Sequence, residues 1–165
     1  AFLHPPRPDC GFAYKGLASC GLALSLGAAL RALLGKTLDL RRWLDLVAIG
    51  TIADVAPLDG DNRALVRAGL AALGSGNVRP GLRALAELAK IDGSAPVSAR
   101  DVAFRFAPRL NAPGRLGSPD LALELLLARS EETAREIAAR IESLSDQRRA
   151  LQEAMIAEAI AAKAA

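Results

Sequence analysis

The chain has 165 residues, which is enough for one domain with a substantial core, or for one domain and an extension. Hydrophobic residues make up 52% of it and aromatic residues only 4%, so the core must be built from Leu, Ala, Val and Ile. The net charge of +3 is mild, and two cysteines without a secretory pattern argue against a disulfide framework and favour a reduced, cytoplasmic setting.

A Pro-rich, irregular segment opens the chain and is followed by the first predicted helix. The run Gly16–Leu30 carries no charge, but its 15 residues are fewer than the roughly 20 that a helix needs to cross a bilayer. We therefore expect no membrane span. The pattern predicts a buried helix over Leu17–Leu34, which Gly35 ends.

Three further helices are predicted in the middle of the chain. Apolar residues at helical spacing over Leu40–Val47 predict a helix that leads toward Asp54. Asn62–Leu73 has the same periodicity, and glycines follow it as a stop signal. Pro80 suits the first turn of the next helix, where its missing N–H costs nothing.

Asp54 is an acidic residue set in the apolar run IGTIADVAP, so we expect its carboxylate to enter the interior or a cleft. An unpaired buried carboxylate is expensive, and such a group is usually neutralised, paired or bound to a metal. The alternative is a turn or cap residue ahead of Pro57. The polar residues that follow are predicted to cap the next helix: Asp59, Asp61 and Asn62.

Positive charge is concentrated between Arg79 and Arg115. This segment has seven basic and three acidic residues, an excess of four that is larger than the +3 of the whole chain. The basic residues are Arg79, Arg83, Lys90, Arg100, Arg105, Arg109 and Arg115. The excess suits an anionic partner, although a solvated basic face is the more common explanation of such a cluster.

Two more helices are predicted before the last one. Ser98 is a good N-cap, with Asp101 three residues on as in a capping box. The turn residues of Asn111–Gly114 are expected to end that helix. A short helix over Pro119–Ala128 comes next.

The last predicted helix begins at Ser130, which two glutamates follow at the positive end of the helix dipole. It contains neither Gly nor Pro over roughly 35 residues, or about 50 Å at 1.5 Å per residue. Its apolar stripe is expected to weaken past Met155. These features are typical of a helix that connects two domains.

Three segments of the chain resemble segments of the RecJ family in their order and spacing. The RecJ family belongs to the DHH phosphoesterase superfamily and consists of exonucleases specific for single-stranded DNA. The family pattern GT-(V/I)-ADV-x-PLD-x-x-NR is matched over Gly50–Arg63, and the pattern PRLNAAGR-(L/M) over Pro108–Leu116. Pro8–Gly21 is similar to the family's short region with Cys, Lys-x-Leu-Ala and Gly. The resemblance covers nearly the whole chain.

The resemblance implies that the chain is mainly α and forms the C-terminal part of an α/β DHH domain followed by a long interdomain helix. Residues 1–128 would belong to the DHH domain, and residues 129–165 would lead toward a DHHA1 domain. The family's aspartate motifs and its Asp-His-His motif have no counterpart here, and His4 is the only histidine. We therefore expect this chain to be the middle of a longer protein.

The function implied by the resemblance is metal-dependent hydrolysis of single-stranded DNA from the 5′ end, in recombination and repair. Mn²⁺ or Mg²⁺ would be the cofactor, because carboxylates suit hard cations and imidazole favours Mn²⁺. Single-stranded DNA is the expected partner, with a single-strand-binding protein and a helicase in the longer protein's setting. We expect most of the metal ligands to lie outside this chain.

The resemblance also implies site residues. Asp54 matches the family's fourth metal-binding motif and is expected to be a metal ligand of the catalytic site. Asn111 and Arg115 would line the path of the DNA strand, with Gly114 allowing close backbone approach in a tight loop. The alternative for Arg115 is an ion pair with a nearby carboxylate. Arg109 is a weaker candidate for phosphate binding.

Three other positions match the family or depart from it. Lys15 would contact nucleic acid or the edge of the active site, with simple surface placement as the alternative. Arg63 is expected to anchor the LDGDN loop by a salt bridge. Pro113 stands where the family usually has Ala, and it removes one backbone N–H that could contact a phosphate.

The sequence is also compatible with two other hypotheses about the function. One is another DHH phosphoesterase, acting on short oligonucleotides or cyclic dinucleotides, although the segment PRLNAPGR is typical of the RecJ branch. The other is a helical interaction module without catalysis. An Asp-His-His motif encoded upstream would separate the two enzyme readings from the third.

Overall fold

The computed structural model of the chain describes residues 4–76, 78–91 and 95–164. Over these ranges the protein is mainly helical, as predicted, and contains no β-strand. The helices are α1 (Ser19–Leu33), α2 (Leu44–Ala53), α3 (Gly60–Leu73), α4 (Pro80–Leu88), α5 (Ala99–Asp101), α6 (Ala107–Leu116), α7 (Asp120–Leu127) and α8 (Glu131–Ala164). A 3₁₀ turn, Leu40–Trp43, precedes α2, and a π-helical segment, Val102–Phe106, lies between α5 and α6.

Contacts divide the chain into two compact units. Unit 1 is Ala1–Val78 with Gly93–Ala107, and unit 2 is Arg79–Asp92 with Pro108–Ala165. The long helix α8 therefore shares a unit with α4 and α7. The division does not fall at residue 128, where the sequence suggested a boundary, and the assignment of the two sides to family domains stays a prediction.

Helix α2 forms the centre of unit 1. It contacts α1, α3 and the π-helical segment, which explains why its sequence is apolar on nearly every side. The buried hydrophobic side chains that it contributes are Val47, Ala48, Ile49 and Ile52. On α3, a Cβ at Gly69 would lie 2.1 Å from the carbonyl oxygen of Leu44, so only glycine permits this close approach of α3 to α2.

Unit 2 is held by the packing of α8 against α4 and α7. A Cβ at Gly81 would lie 1.9 Å from the carbonyl oxygen of Leu125, so the two backbones of α4 and α7 meet at this glycine. The fully buried apolar side chains of the unit include Leu82, Leu85, Leu125, Ala134 and Ile141. Arg83 forms an ion pair with Glu131 on α8, at 2.9 Å.

Helix α8 is unbroken from Glu131 to Ala164, which confirms the predicted long helix. Its burial ends earlier than its apolar sequence suggested. Ser145 is the last buried residue among those whose burial the structure describes, up to residue 163, whereas the stripe was expected to continue to Met155. Leu151 is already 55% exposed, because no described element packs against the far half of the helix.

The predicted turn at Asn111–Gly114 is wrong, because α6 continues through it to Leu116. A proline inside a helix costs about 3 kcal/mol, since it removes one hydrogen bond and its ring crowds the preceding turn. Here the side chain of Pro113 is fully buried, beside the buried Ala112, and this packing offsets part of the cost. The helical bonding resumes at once, with the Gly117 N–H donating to the Pro113 carbonyl at 2.9 Å.

Several local signals are confirmed. Pro80 occupies the first turn of α4, and the capping box of Ser98 and Asp101 has both of its reciprocal hydrogen bonds. Gly35 follows the end of α1 in a left-handed conformation, with φ of 59°. No helix in the described ranges is both long and apolar enough to cross a membrane.

Candidate metal-contacting and DNA-contacting residues

Asp54 lies at the C-terminal end of α2, where its N–H donates to the Gly50 carbonyl at 3.0 Å. Its side chain is exposed, which corrects the expectation of a carboxylate in the interior. The buried acid of this segment is Asp45, in the first turn of α2, where the helix dipole favours a negative charge. Among the described residues, no side chain forms a hydrogen bond or an ion pair with the Asp54 carboxylate, so it is available to a ligand.

Val55 fixes the chain direction directly after Asp54. Its N–H donates to the Ile52 carbonyl at 3.1 Å, and the Ala56 N–H donates to the Thr51 carbonyl at 3.2 Å. These two bonds form a Schellman motif, in which the residue at the position of Val55 is usually glycine. Val55 adopts φ of 56° and is 88% exposed, so a β-branched residue holds a strained conformation with little packing to compensate.

We predict that Val55→Gly raises the free energy of unfolding of the 165-residue chain by roughly 0.5–1 kcal/mol. Relief of the left-handed strain should stabilise the folded chain by about 1–2 kcal/mol. The greater freedom of glycine in the unfolded state offsets roughly 0.5–1 kcal/mol of this stabilisation. Urea denaturation followed by circular dichroism measures the difference.

Gly35 provides the matched control, because it occupies the same position of the same motif after α1. A Cβ at Gly35 would meet nothing within 4 Å, so Gly35→Val tests the backbone conformation alone. This substitution should destabilise the chain by about 1–2 kcal/mol. A destabilising effect of Val55→Gly would show that Val55 is not strained.

The loop from Pro57 to Gly60 is tied to the amino-terminal segment by two side chains. Asn62 is fully buried, and its Nδ2 donates to the Gly16 carbonyl at 2.7 Å and to the Pro57 carbonyl at 2.9 Å. The Tyr14 hydroxyl donates to the Asp59 carboxylate, and this hydrogen bond raises the pKa of Tyr14 to about 12. The phenol therefore keeps its proton, and the hydrogen bond, across the physiological pH range.

The capping prediction for this loop is wrong in its details. Asp59 occupies the N-cap position of α3, but its side chain binds Tyr14 and makes no capping hydrogen bond. Arg63 is exposed and forms no ion pair with any described residue, so the predicted salt bridge that anchors the loop is absent from that part of the chain. Asn62 takes this anchoring role. Tyr14 was not identified from the sequence, because its partner lies 45 residues away.

Lys15 lies next to Tyr14 and is exposed. Its Nζ donates to the Cys10 carbonyl at 2.5 Å, so its ammonium group holds the turn of its own segment. One backbone contact leaves two of the three ammonium protons for another acceptor. Contact with nucleic acid therefore stays a prediction for Lys15.

The described residues do not form a metal site by themselves. They contain no group of three or more His, Cys, Asp or Glu side chains that could hold an ion. Asp54 offers one available carboxylate, which suits Mg²⁺ or Mn²⁺ but cannot hold either ion alone. The described residues therefore offer Asp54 as a candidate ligand of a larger site.

Asn111 and Arg115 are four residues apart on α6, so they share one face of that helix. Both side chains are exposed, and neither has a hydrogen-bond or ion-pair partner among the residues that the structure describes. Arg115 lies in the last helical turn, where the helix dipole favours a positive charge. The ion pair considered as the alternative for Arg115 is therefore not found in the described ranges.

Gly114 is part of the helix, which corrects the expectation of a tight loop that would bring the backbone close to a ligand. A Cβ at this position would lie 3.5 Å from the Cβ of Pro119, which is an ordinary contact. The two polar side chains on one helix face, and not the glycine, are what this segment presents to a ligand.

Arg109, the weaker candidate for phosphate binding, forms a structural contact within the chain, and its phosphate binding stays a prediction. Its Nε and Nη2 donate to the two carboxylate oxygens of Glu142 on α8, at 2.5 and 2.8 Å. The Arg109 side chain is only 14% exposed. A paired and largely buried guanidinium of this kind would have to break a bidentate ion pair to bind a phosphate.

The basic segment is partly neutralised within the protein. Arg83, Arg105 and Arg109 each form an ion pair with a carboxylate. Lys90, Arg100 and Arg115 have no ion-pair partner in the ranges described, so the part of the excess charge that can attract an anion is smaller than the sequence count indicated.

Curated relatives match the chain over nearly its whole length. It is 41% identical over 170 residues to the single-stranded-DNA-specific exonuclease RecJ of Dickeya dadantii, and 41% identical over 162 residues to that of Bacillus subtilis. Both alignments cover 97% of this chain. The chain belongs to the RecJ family. No protein-family model matches it.

Solved RecJ structures share the fold of this chain. A crystal structure of RecJ from Thermus thermophilus in complex with Mn²⁺ matches 92% of the chain with a TM-score of 0.79 and 42% identity. A crystal structure of exonuclease RecJ bound to manganese matches 94% of the chain with a TM-score of 0.80 and 41% identity.

The match covers only part of the RecJ proteins themselves. The chain spans 29% of the length of the Dickeya dadantii protein and 20% of the Bacillus subtilis protein. It covers 22% of the Thermus thermophilus chain in the crystal structure. Membership of the RecJ family therefore describes this segment, and it does not by itself assign the activity of the whole RecJ protein to it.

Proposed function

We propose that this chain is part of a metal-dependent exonuclease that hydrolyses single-stranded DNA from the 5′ end in recombination and repair. The observation that carries the proposal is the identity of 38–45% to proteins named single-stranded-DNA-specific exonucleases, over up to 97% of the chain. In this proposal Asp54 is a catalytic residue that contacts the metal, and Asn111 and Arg115 contact the DNA backbone.

The placement of Asp54 supports its role. The carboxylate is exposed at the end of a buried helix, and the Schellman motif around Val55 fixes the backbone on its C-terminal side. A ligand held on a rigid element binds with less loss of conformational freedom than a ligand on a mobile loop. Mn²⁺ or Mg²⁺, when bound, would stabilise negative charge on the phosphate.

The α6 face supports the second part of the proposal. The Arg115 guanidinium can bind a phosphate with two parallel hydrogen bonds, and the Asn111 amide can donate to the same or a neighbouring phosphate oxygen. Neither residue has to break an ion pair in the described part of the chain before it binds. Such backbone contacts position a strand without reading its sequence.

A chimera tests the proposal. In it, this chain replaces the matched segment of Thermus thermophilus RecJ, and hydrolysis is measured on labelled single-stranded and double-stranded oligonucleotides with Mn²⁺. The proposal predicts degradation of the single strand from its 5′ end and little degradation of the duplex. A folded chimera that binds single-stranded DNA but leaves it intact would contradict it.

We predict that the 165-residue chain alone hydrolyses no single-stranded DNA with Mn²⁺ or Mg²⁺, because its described residues offer one metal-contacting carboxylate and no complete site. Release of labelled nucleotides from an oligonucleotide measures this. Robust degradation by the purified chain that Asp54→Ala abolishes would show that the chain holds a complete catalytic site.

The proposal includes a cytoplasmic setting and two protein partners, a single-strand-binding protein and a helicase that supplies the single strand. Cys10 and Cys20 are both free thiols, which agrees with a reducing compartment. Co-purification from cells that express the chimera would test both partners.

A further inference from the structure

Phe104 is an exposed aromatic side chain in a segment that is otherwise packed. It is 74% exposed, whereas Val102 and Phe106, two residues to either side, are buried to 0% and 1% exposure. The buried pair anchors the segment in the core of unit 1, so Phe104 is held outward by a rigid backbone. An exposed phenyl ring gives up the stabilisation that burial of its apolar surface would provide. Nothing in the described part of unit 1 covers the Phe104 ring.

The backbone around Phe104 is a π-helix, Val102–Phe106. Such segments are rare, and they occur frequently at functional sites because the extra residue redirects the side chains of the turn. In this irregular turn Phe104 is exposed, while Val102 and Phe106 lie in the core.

Charged groups surround the ring. Arg100, Asp101 and Arg105 line a cleft of about 540 Å³ together with Phe104. The Asp101 carboxylate accepts hydrogen bonds from the Ser98 N–H and hydroxyl, at 3.0 and 2.6 Å, and pairs with Arg105 at 3.4 Å. Arg100 has no ion-pair partner in the described ranges. With two cations and one carboxylate, the cleft is positive and complements an anionic chain.

We propose that Phe104 stacks on a base of single-stranded DNA while Arg100 contacts a neighbouring phosphate. An exposed aromatic ring beside cations is how proteins bind single strands without sequence preference, because every base has a face on which an aromatic ring can stack. The proposal rests on the proposed function and adds to it a binding residue outside the three segments that carry the family resemblance.

The position of Phe104 in unit 1 agrees with this role. The π-helical segment packs against α2, and α2 is the helix that ends at Asp54. A base held by Phe104 would therefore bind to an element directly supported by the helix that presents the proposed metal-contacting carboxylate.

The test measures the affinity of the 165-residue chain for a fluorescein-labelled oligothymidylate by fluorescence anisotropy. Phe104→Ala should weaken binding about five- to hundredfold, the range found when one stacking residue is removed. Phe104→Tyr should restore most of the affinity, since it keeps the ring. Neither substitution should change the slope of affinity against salt, because no charge is removed.

Phe12→Ala is the matched control. Phe12 is another exposed phenylalanine of unit 1, and its removal should leave the affinity unchanged. A spectroscopic signal adds a direct readout of stacking. In a Trp43→Phe background, which removes the only tryptophan, the Phe104→Trp variant should lose indole fluorescence when the oligonucleotide binds.

Equal affinities of the Phe104→Ala and unaltered chains would overturn the stacking role, as would absence of binding by the unaltered chain. The RecJ chimera separates this result from failure of the proposed function. If the chimera cleaves single-stranded DNA but its DNA binding does not depend on Phe104, only the stacking role is wrong. If DNA binding depends on Phe104 but the chimera cannot cleave, only the proposed nuclease function is wrong.

Discussion

Asp54→Asn in the RecJ chimera should lower the rate of single-strand hydrolysis by at least about a hundredfold while DNA affinity stays nearly unchanged. Loss of a group that merely supports a metal ligand typically costs roughly 10- to 100-fold, so loss of a ligand should cost more. The amide is nearly the same size as the carboxylate but carries no charge. Initial rates at saturating Mn²⁺, with affinities measured separately, provide the comparison.

Asp61→Asn is the matched control for this substitution. Asp61 is an exposed carboxylate in the first turn of α3, seven residues further along the same segment, and its change should leave the rate intact. Calorimetric titration with Mn²⁺ should show weaker binding for Asp54→Asn and unchanged binding for Asp61→Asn. An unchanged rate and unchanged Mn²⁺ affinity for Asp54→Asn would remove Asp54 from the site.

Arg115→Ala in the chimera should weaken binding of single-stranded DNA about ten- to hundredfold, because a hydrogen bond to a charged group contributes about 1.5–3 kcal/mol. One fewer phosphate contact should also reduce the salt slope by about 0.7 for a single strand. Arg115 is exposed on a helix and has no ion pair in the described ranges. The substitution should therefore change the thermal stability of the chimera little. Anisotropy titrations at several salt concentrations measure both quantities.

Two further variants show whether the effect belongs to this arginine. Arg115→Lys should recover part of the affinity, since an ammonium group cannot make the planar two-pronged contact. Arg129→Ala removes an exposed cation of the same unit and should have little effect. A loss of thermal stability in Arg115→Ala, with affinity and salt slope unchanged, would identify a structural residue.

The helices were predictable from sequence wherever a local signal determines them. The end of α1 and the start of α4 follow from Gly35 and Pro80, whose backbone preferences are strong enough to act without tertiary context. The predicted start of α1 at Leu17 is two residues early, since the helix begins at Ser19. The unbroken α8 follows from the absence of Gly and Pro over more than thirty residues. The capping box of Ser98 is equally local, since both partners lie within one turn.

Signals that tertiary packing overrides led to wrong predictions. Pro113 and Gly114 normally indicate a turn, yet the burial of Pro113 stabilises a continuous helix. The π-helical segment has no sequence signal, because Val102 and Phe106 are four residues apart and would share one buried face in an ordinary α-helix as well. The apolar positions of α8 past Ser145 are exposed. Helical periodicity in the sequence predicts an apolar face, but it does not show whether another element packs against that face.

For the candidate site residues, the sequence predicts positions but not the environments in which they lie. Asp54 was identified from its apolar neighbours, but these neighbours reflect the buried α2 before it, and the carboxylate itself is exposed. Arg109 and Arg115 are equivalent in a count of charges. The fold gives them different environments, because Glu142 pairs with Arg109 from 33 residues away, and nothing in the described part of the chain pairs with Arg115.

Anomalous diffraction at the manganese edge, from crystals of the RecJ chimera soaked in Mn²⁺, would show whether Asp54 is a metal ligand. We expect an anomalous peak at bonding distance from the carboxylate of Asp54, and loss or weakening of that peak in Asp54→Asn crystals. An occupied manganese site that the Asp54 carboxylate does not contact would contradict this expectation.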